Sequence, residues 1–253
     1  MTVTFLGTGT SQGVPVIACN CEVCSSENPK DKRLRSSILI SEGENHVVID
    51  TGPDFRQQML REGLKTLNAV VFTHEHKDHI AGLDDVRAFN YFTGIAMRVF
   101  CNDAVEKAIR REFYYAFTEE KYPGVPVLHF HNIQMHSFDV DGIPFVPIAV
   151  KHMEMNVLGF RVGDFTYITD ANFISDKEME KVYGSKILVL NALRKQKHPS
   201  HFNLEEALEL IKVIKPEKAF LTHISHQLGT HAEVSANLPA NVFLSYDGLK
   251  LEI

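Results

Sequence analysis

Residues 73 to 79 of the chain read Thr-His-Glu-His-Lys-Asp-His. Three imidazoles and a carboxylate, His74, His76, Asp78 and His79, fall within six residues, directly after the apolar run Ala69-Val70-Val71-Phe72. Side chains two apart at the end of a strand lie on one side, so His74 and His76 can reach one cation. Asp78 and His79 come after the turn and can reach a second. Mixed nitrogen and oxygen donors leave positions open for water, which is the catalytic type of metal site. Three more candidate ligands each follow an apolar run: His152 after Phe145–Val150, Asp170 after Tyr167-Ile168-Thr169, and His223 after Ala219–Thr222. Singly each is an ordinary loop residue; the recurrence of strand then ligand raises them together.

The pattern resembles the metallo-β-lactamase superfamily, whose fold is an αββα sandwich, two mixed sheets with outer helices, carrying a two-metal site along one edge. The superfamily's H-x-H-x-D-H motif matches His74, His76, Asp78 and His79, and its later ligands match His152, Asp170 and His223 in order and spacing. The resemblance implies that His74, His76 and His152 hold one ion, that Asp78, His79 and His223 hold the other, and that Asp170 bridges them. Asp50, in Ile49-Asp50-Thr51-Gly52, matches the superfamily's strand-end Asp-x-Gly. Its implied role is to orient ligands from behind, without binding metal. A bridging carboxylate favours phosphodiesterase chemistry, since β-lactamases themselves often lack it.

A second metal is signalled by Cys19, Cys21 and Cys24, three thiols in six residues. This spacing does not read as a disulfide framework; it fits tetrahedral zinc, which needs a fourth ligand. His226 is the choice, because the active-site set already takes His223. A zinc-clip loop at about 18–25 and one short late loop would then hold the two sites side by side. The combination of C-x-C-x-x-C after Leu6-Gly7-Thr8-Gly9-Thr10 with Thr-His-Ile-Ser-His resembles the phosphoribosyl cyclic phosphate phosphodiesterases of phosphonate catabolism. That resemblance implies a structural zinc on Cys19, Cys21, Cys24 and His226, and a catalytic histidine at His201 in Pro199-Ser200-His201-Phe202-Asn203. His198 is nearby, but its offset from Asn203-Leu204 fits less well.

The implied reaction is hydrolysis of a small, cyclic phosphodiester. Two divalent ions (zinc, manganese or iron) lower the pKa of a shared water toward ~7 and neutralise the phosphoryl oxygens. His201 protonates the departing oxygen or binds its charge, and Asp78 is assigned to catalysis as well as to metal. Two relatives within the superfamily keep other readings open. A pyrroloquinoline-quinone biosynthesis protein shares a similar cysteine pattern, and tRNA 3′-processing nucleases share the ligand set. The latter predict a long arm or a basic patch; the chain shows neither a long Gly/Pro-rich insertion nor a charge run.

The elements that must position these groups can be read along the chain. Strands are expected at Val3–Leu6, Ser37–Ile40, Val47–Asp50, Ala69–Thr73, Val99–Cys101, Phe145–Val150, Phe165–Thr169, Ile187–Leu190, Ala219–Thr222 and Val242–Tyr246. Val162-Gly163-Asp164-Phe165 reads as a two-residue hairpin, and Asp247-Gly248 as another joining Leu244-Ser245-Tyr246 to Leu249-Lys250-Leu251. Helices are expected over Pro53–Gly63, from Asp103 as cap through Phe113, from Ser175 through Tyr183, and over Asn203–Ile214 with Glu206 completing a capping box. Gly7-Thr8-Gly9-Thr10-Ser11-Gln12-Gly13 has the wrong spacing for a dinucleotide loop, and Pro15 stands where a helix would run. It reads instead as a tight strand exit that lets backbone approach the metal edge. Ile80–Pro126 is expected to build the substrate wall, with its aromatics mostly in core, Arg87 at the surface, and Glu119–Gly124 as a lid edge.

Composition sets the outer limits. The chain has 253 residues, 44% hydrophobic and 23% charged, enough for one large core and too ordinary for disorder. It is read as a single hydrolase domain over 1–253. With 26 basic and 32 acidic residues the net charge is -6, which argues against broad nucleic-acid binding. The start shows no signal-peptide pattern and no run approaches the ~18 apolar residues of a membrane span. The expected setting is cytoplasmic, with a small phosphodiester as partner, no membrane, and a homodimer as an open option. Cys101, at the end of Met97-Arg98-Val99-Phe100, reads as an inert buried thiol.

Overall fold

The computed structural model describes residues 1–120 and 122–253; Lys121, in the expected lid edge, lies outside the described residues. Fifteen strands form among the described residues: β1 (Thr2–Gly7), β2 (Ser37–Glu42), β3 (Asn45–Ile49), β4 (Ala69–Val71), β5 (Met97–Cys101), β6 (Leu128–Asn132), β7 (Phe138–Val140), β8 (Ile143–His152), β9 (Met155–Val162), β10 (Phe165–Ile168), β11 (Phe173–Ile174), β12 (Ile187–Asn191), β13 (Lys218–Thr222), β14 (Val242–Leu244) and β15 (Lys250–Glu252). They make two sheets, ordered β15-β1-β2-β3-β4-β5-β6 and β11-β8-β9-β10-β12-β13-β14, with β7 attached to β8.

Alternation along each strand sorts the side chains into layers. Val47 and Ile49 of β3 face inward with Phe5, Ile38 and Ile40, against Phe160, Tyr167, Val189 and Phe220 of the second sheet. Val48 points the other way, onto Phe55, Met59, Val105 and Ile109 from helices Phe55–Glu62 and Asp103–Glu112. On the far side, Ile148, Leu188, Leu190 and Leu221 meet Met179, Ala207 and Ile211 from helices Asp176–Val182 and Leu204–Ile214. The result is the expected four-layer αββα sandwich. Strands covered on both faces read as continuous apolar runs, which is why the central ones were legible.

Helix Leu204–Ile214 has the expected capping box: the Asn203 side chain accepts from Glu206 N–H, and the Glu206 carboxylate accepts from Asn203 N–H. Helix Phe55–Glu62 ends at Gly63 in the left-handed region, φ 68°. Two expectations are corrected. Asn102, not Asp103, caps helix Asp103–Glu112, its side chain accepting from Val105 N–H. Asp247-Gly248 does not close a hairpin: β14 runs parallel to β13 in the second sheet, while β15 runs antiparallel to β1 in the first. The turn chemistry was right, with Gly248 at φ 88°, but a turn signal does not choose the partners of the strands it joins. Strands β6, β7 and β11 and helices Arg87–Thr93 and His231–Ala236 were not expected, and β9 was expected only as the arm of the hairpin that starts at Val162. No helix among the described residues is long and apolar enough to cross a membrane.

Candidate active site

Every candidate ligand stands where a strand ends at one shared edge. β3 and β4 are parallel, as are β10, β12 and β13, so their C-terminal ends face the same way. Asp50 follows β3, Asp170 follows β10 by two residues, and His223 follows β13; all three are in the left-handed region at φ 66°, 52° and 56°. Such backbone costs ~1–3 kcal/mol per residue, and Asp and His tolerate it better than β-branched residues do. It turns the chain sharply at the strand exit, which aims the side chain into the gap between the sheets. His152 closes β8 itself.

The loop after β4 is held from behind by Asp50-Thr51-Gly52. Thr51 N–H donates to His79 C=O at 2.8 Å, and Gly82 N–H donates to Thr51 C=O at 2.8 Å. A Cβ at Gly52 would stand 2.2 Å from the Asp78 carbonyl oxygen, and one at Gly82 2.1 Å from the Gly52 carbonyl oxygen. Both positions therefore require glycine for close backbone approach. The H-x-H-x-D-H loop and the Asp-x-Gly turn are one packed unit.

Around Asp170 the donors separate into two groups. Ligand atoms of Asp78, His79, Asp170 and His223 lie within 4.8 Å of one another, and so do those of His152, Asp170 and His201. Asp170 Oδ2 is 3.2 Å from His79 Nε2 and 3.2 Å from His223 Nδ1, while Oδ1 is 3.9 Å from His201 Nδ1. One carboxylate thus presents its two oxygens to two different donor groups. His79 Nε2 is also 3.2 Å from Asp78 Oδ2. His74 and His76 join through ring contacts, 4.7 Å apart between centroids and 6.0 and 5.2 Å from His152. The structure therefore brings all seven expected ligands together, and it groups His201, expected as a catalytic residue outside the ligand set, with His152 and Asp170. His201 and His223 are stacked, with centroids 4.8 Å apart.

Hydrogen bonds behind the site decide which nitrogen faces it. Asp50 Oδ2 is 2.8 Å from His79 Nδ1 and also accepts from Thr73 Oγ1 at 2.8 Å, while Asp50 Oδ1 accepts from Thr73 N–H at 2.9 Å. Thr73 Oγ1, already donating to Asp50, accepts from His74 Nδ1 at 2.9 Å. His152 Nδ1 donates to Ser200 C=O at 2.7 Å. Each of these rings is pinned through Nδ1 and turns Nε2 forward, an arrangement that fixes tautomer and aim in metal-binding histidines. Thr10 Oγ1, from the Gly-rich strand exit, is 3.3 Å from His223 Nε2. Thr10, Thr73 and Ser200 were not expected. Thr73 precedes the motif directly, but only the fold shows its hydroxyl between two rings.

The electrostatics suit a cation. His74 Nε2, His79 Nε2, His201 Nδ1 and His223 Nδ1 are buried without a hydrogen-bond partner. Burial opposes ionisation of Asp78 and Asp170, yet the neighbouring imidazoles override it and hold both well below the usual carboxylate range. Burial also lowers His74, His76 and His223, and pushes His201 down to about 2. His79 goes the other way: burial lowers it, but Asp78, Asp170 and Asp50 together raise it well above the ordinary value. Ionised carboxylates among imidazole nitrogens with no protein partner fit divalent metal on their donor chemistry, and no packing purpose explains them.

The cysteine cluster is separate and compact. Cys19, Cys21 and Cys24 Sγ lie 3.3, 3.3 and 3.5 Å from His226 Nδ1. Tetrahedral zinc with arms of ~2.3 Å to sulfur and ~2.0 Å to nitrogen sets sulfur and nitrogen roughly 3.5 Å apart, so this set fits zinc. The Cys24 N–H draws Cys21 down to about 6, against its slight burial, while burial pushes Cys24 up to about 11. Cys101 is buried, pushed up to about 12 by that burial, and takes no part in either site. Arg87 pairs with Asp84 at 3.0 Å, the surface reading, while Phe89 and Phe113 are core and Tyr91, Phe92 and Tyr114 are exposed.

Comparison with known proteins decides the family. A sequence model described as "Beta-lactamase superfamily domain" matches residues 45–224. The chain belongs to the metallo-β-lactamase superfamily. Among metallo-β-lactamase-fold structures, a crystal structure described as a new diphosphatase from the PhnP family is 41% identical, with a TM-score of 0.93, covering 100% of this chain and 97% of that one. Zinc-bound PqqB from Methylobacterium extorquens has a TM-score of 0.77 at 20% identity, covering 100% of both chains, a likeness of fold alone. A curated relative named octanoyltransferase, from Porphyromonas gingivalis, is 38% identical over 249 residues, 97% of this chain and 50% of its own length. The chain spans about half the length of the curated relatives it matches. Within this superfamily it is similar to the PhnP family.

Proposed function

We propose that the protein is a metal-dependent phosphodiesterase acting on a small phosphodiester, cyclic ones included. The observation that carries this is Asp170, whose two oxygens face separate donor groups, one drawn from both sheets and one from the second alone. Bound there, a pair of divalent ions, zinc, manganese or iron, would supply a water of lowered pKa and neutralise charge on the phosphoryl oxygens. Asp78, His79 and His223 would hold one, His74, His76 and His152 the other, with Asp170 between them. Asp50 orients His79 through Nδ1, and the Ser200 carbonyl orients His152. His201, buried beside Asp170 and stacked on His223, is our candidate to donate to the departing oxygen or to bind its charge. The clip of Cys19, Cys21, Cys24 and His226 would hold a structural zinc, three residues along the chain from His223. The chain's acidic balance favours a small substrate over nucleic acid.

A second reading is favoured by the 41% identical diphosphatase: the bond broken is a P–O bond to the oxygen bridging the two phosphoryl groups of a small diphosphate. The two readings share the in-line attack and differ in the leaving group. The test uses one metal-loaded preparation on four substrates: bis(p-nitrophenyl) phosphate, a small diphosphate, a thioester and a β-lactam. Turnover of the phosphodiester is expected. Turnover of the diphosphate without it selects the second reading. Turnover of the thioester or the β-lactam alone overturns both, and the thioester arm also covers the acyl chemistry denoted by the longer relative's name.

A further inference from the structure

His198, which the site as described does not use, stands at its margin with its ring centroid 5.2 Å from that of His201. One of its nitrogens is committed. Ser200 N–H donates to His198 Nδ1 at 3.3 Å, and the Ser200 hydroxyl is 3.1 Å from the same atom. A nitrogen that accepts a backbone N–H carries no proton, so the neutral ring bears its hydrogen on Nε2. That N–H has no hydrogen-bond partner among the described residues, and the ring is only partly buried. Ser200 is the same residue whose carbonyl pins His152, so the backbone that aims a metal-site ring also fixes the tautomer of His198. Pro199, between the two, cannot compete for either acceptor because it has no N–H.

The geometry points to His198 as a substrate-binding residue whose Nε2–H donates to a phosphoryl oxygen of the ligand seated against His201. The inference rests on the reading of the site as one for phosphate esters or anhydrides, and it extends the recognition surface outward from His201. It assigns His198 a hydrogen bond to an anionic oxygen and no part in proton transfer. A neutral donor binds the anion without adding charge, so the contact persists through the reaction and acts on affinity more than on turnover.

Two substitutions separate this role from a purely structural one, because each keeps a different half of the ring. The amide of His198→Asn overlays Nδ1, so it can still accept from Ser200 but offers nothing at the outer position. The amide of His198→Gln reaches the Nε2 position and keeps the outer donor. Both are made in the metal-loaded protein, with metal content and thermal midpoint recorded, and measured for the dissociation constant of inorganic phosphate and for KM and kcat on bis(p-nitrophenyl) phosphate. His198→Asn is expected to weaken phosphate and raise KM about tenfold or more, the usual scale for a hydrogen bond to a charged group, with kcat within about threefold. His198→Gln should stay within about threefold of wild type in all three. The reverse ranking overturns the inference and makes His198 a support for Ser200 and His152. Two unaffected variants overturn it as well. If either variant loses metal, the ring nitrogens of wild-type His198 are followed by NMR instead. An Nε2–H tautomer that shifts on adding phosphate supports the inference, and an Nδ1–H tautomer or no response overturns it. Wild-type protein that binds phosphate with this ranking yet leaves the phosphodiester intact sinks the phosphodiesterase reading alone.

Discussion

Asp170 and His201 show what a single residue contributes here. Asp170 is a carboxylate placed at a left-handed turn so that each oxygen faces a different set of imidazoles. His201 shares one of those sets with His152, which leaves two roles to separate by experiment. As a donor to the leaving oxygen, His201→Ala should lower kcat ~10²–10⁴-fold while metal content stays unchanged. Parallel steady-state kinetics and metal analysis read the two quantities independently; loss of metal with activity reassigns His201 as a ligand. The residue types were legible beforehand because ligand chemistry belongs to the side chain itself. Asp50 was expected behind the ligands by resemblance, but not which ring it holds, since it lies 29 residues from His79; the Ser200 carbonyl, 48 residues from His152, was not expected at all.

At the scale of elements, strand ends and loops act as units. The turn at Gly52 leaves no room for a Cβ against the Asp78 carbonyl. Gly52→Ala should therefore displace the H-x-H-x-D-H loop, with metal binding lost while the circular dichroism spectrum stays that of the wild type. Retained metal affinity would show that the loop can shift without cost. The clip is a second such unit. It ties Cys19–Cys24 to His226, three residues from His223, so stripping the zinc we propose there should loosen the active-site loop too. A chelator is expected to lower the thermal midpoint, zinc to restore it, and Cys24→Ala to abolish the restoration. Binding that stabilises only the folded form guarantees the direction. Elements with long apolar runs or a capping box could be read from local pattern. β6, β7 and β11 could not, being short, edge-placed or half-exposed, where packing and not propensity determines the strand.

The whole molecule is closed by its C-terminal turn, which carries the chain from the second sheet back to the first. There Asp247 accepts from Leu34 N–H at 2.7 Å and from Thr8 Oγ1 at 2.7 Å, beside the buried Arg33. Burial pushes Asp247 up to about 6 despite these bonds. A carboxyl raised in the folded state binds its proton more tightly folded than unfolded. Its contribution is full below the unfolded value of 3.8 and is lost as pH rises through about 6. Asp247→Asn removes that titration. Urea unfolding at stepped pH should show wild-type stability falling relative to the variant as pH rises from about 4 to about 7; parallel curves would refute the assignment. By itself the sequence determined the candidate donor atoms and the apolar run ahead of each, because ligand chemistry and hydrophobic patterning are local properties; the four-layer class came with the resemblance those motifs carry. The tertiary structure alone decided which strand ends meet, which group His201 joins, and that the turn at Asp247-Gly248 crosses between sheets. Those outcomes depend on pairing between segments far apart in the chain, and only burial of the shared core selects one pairing over the others.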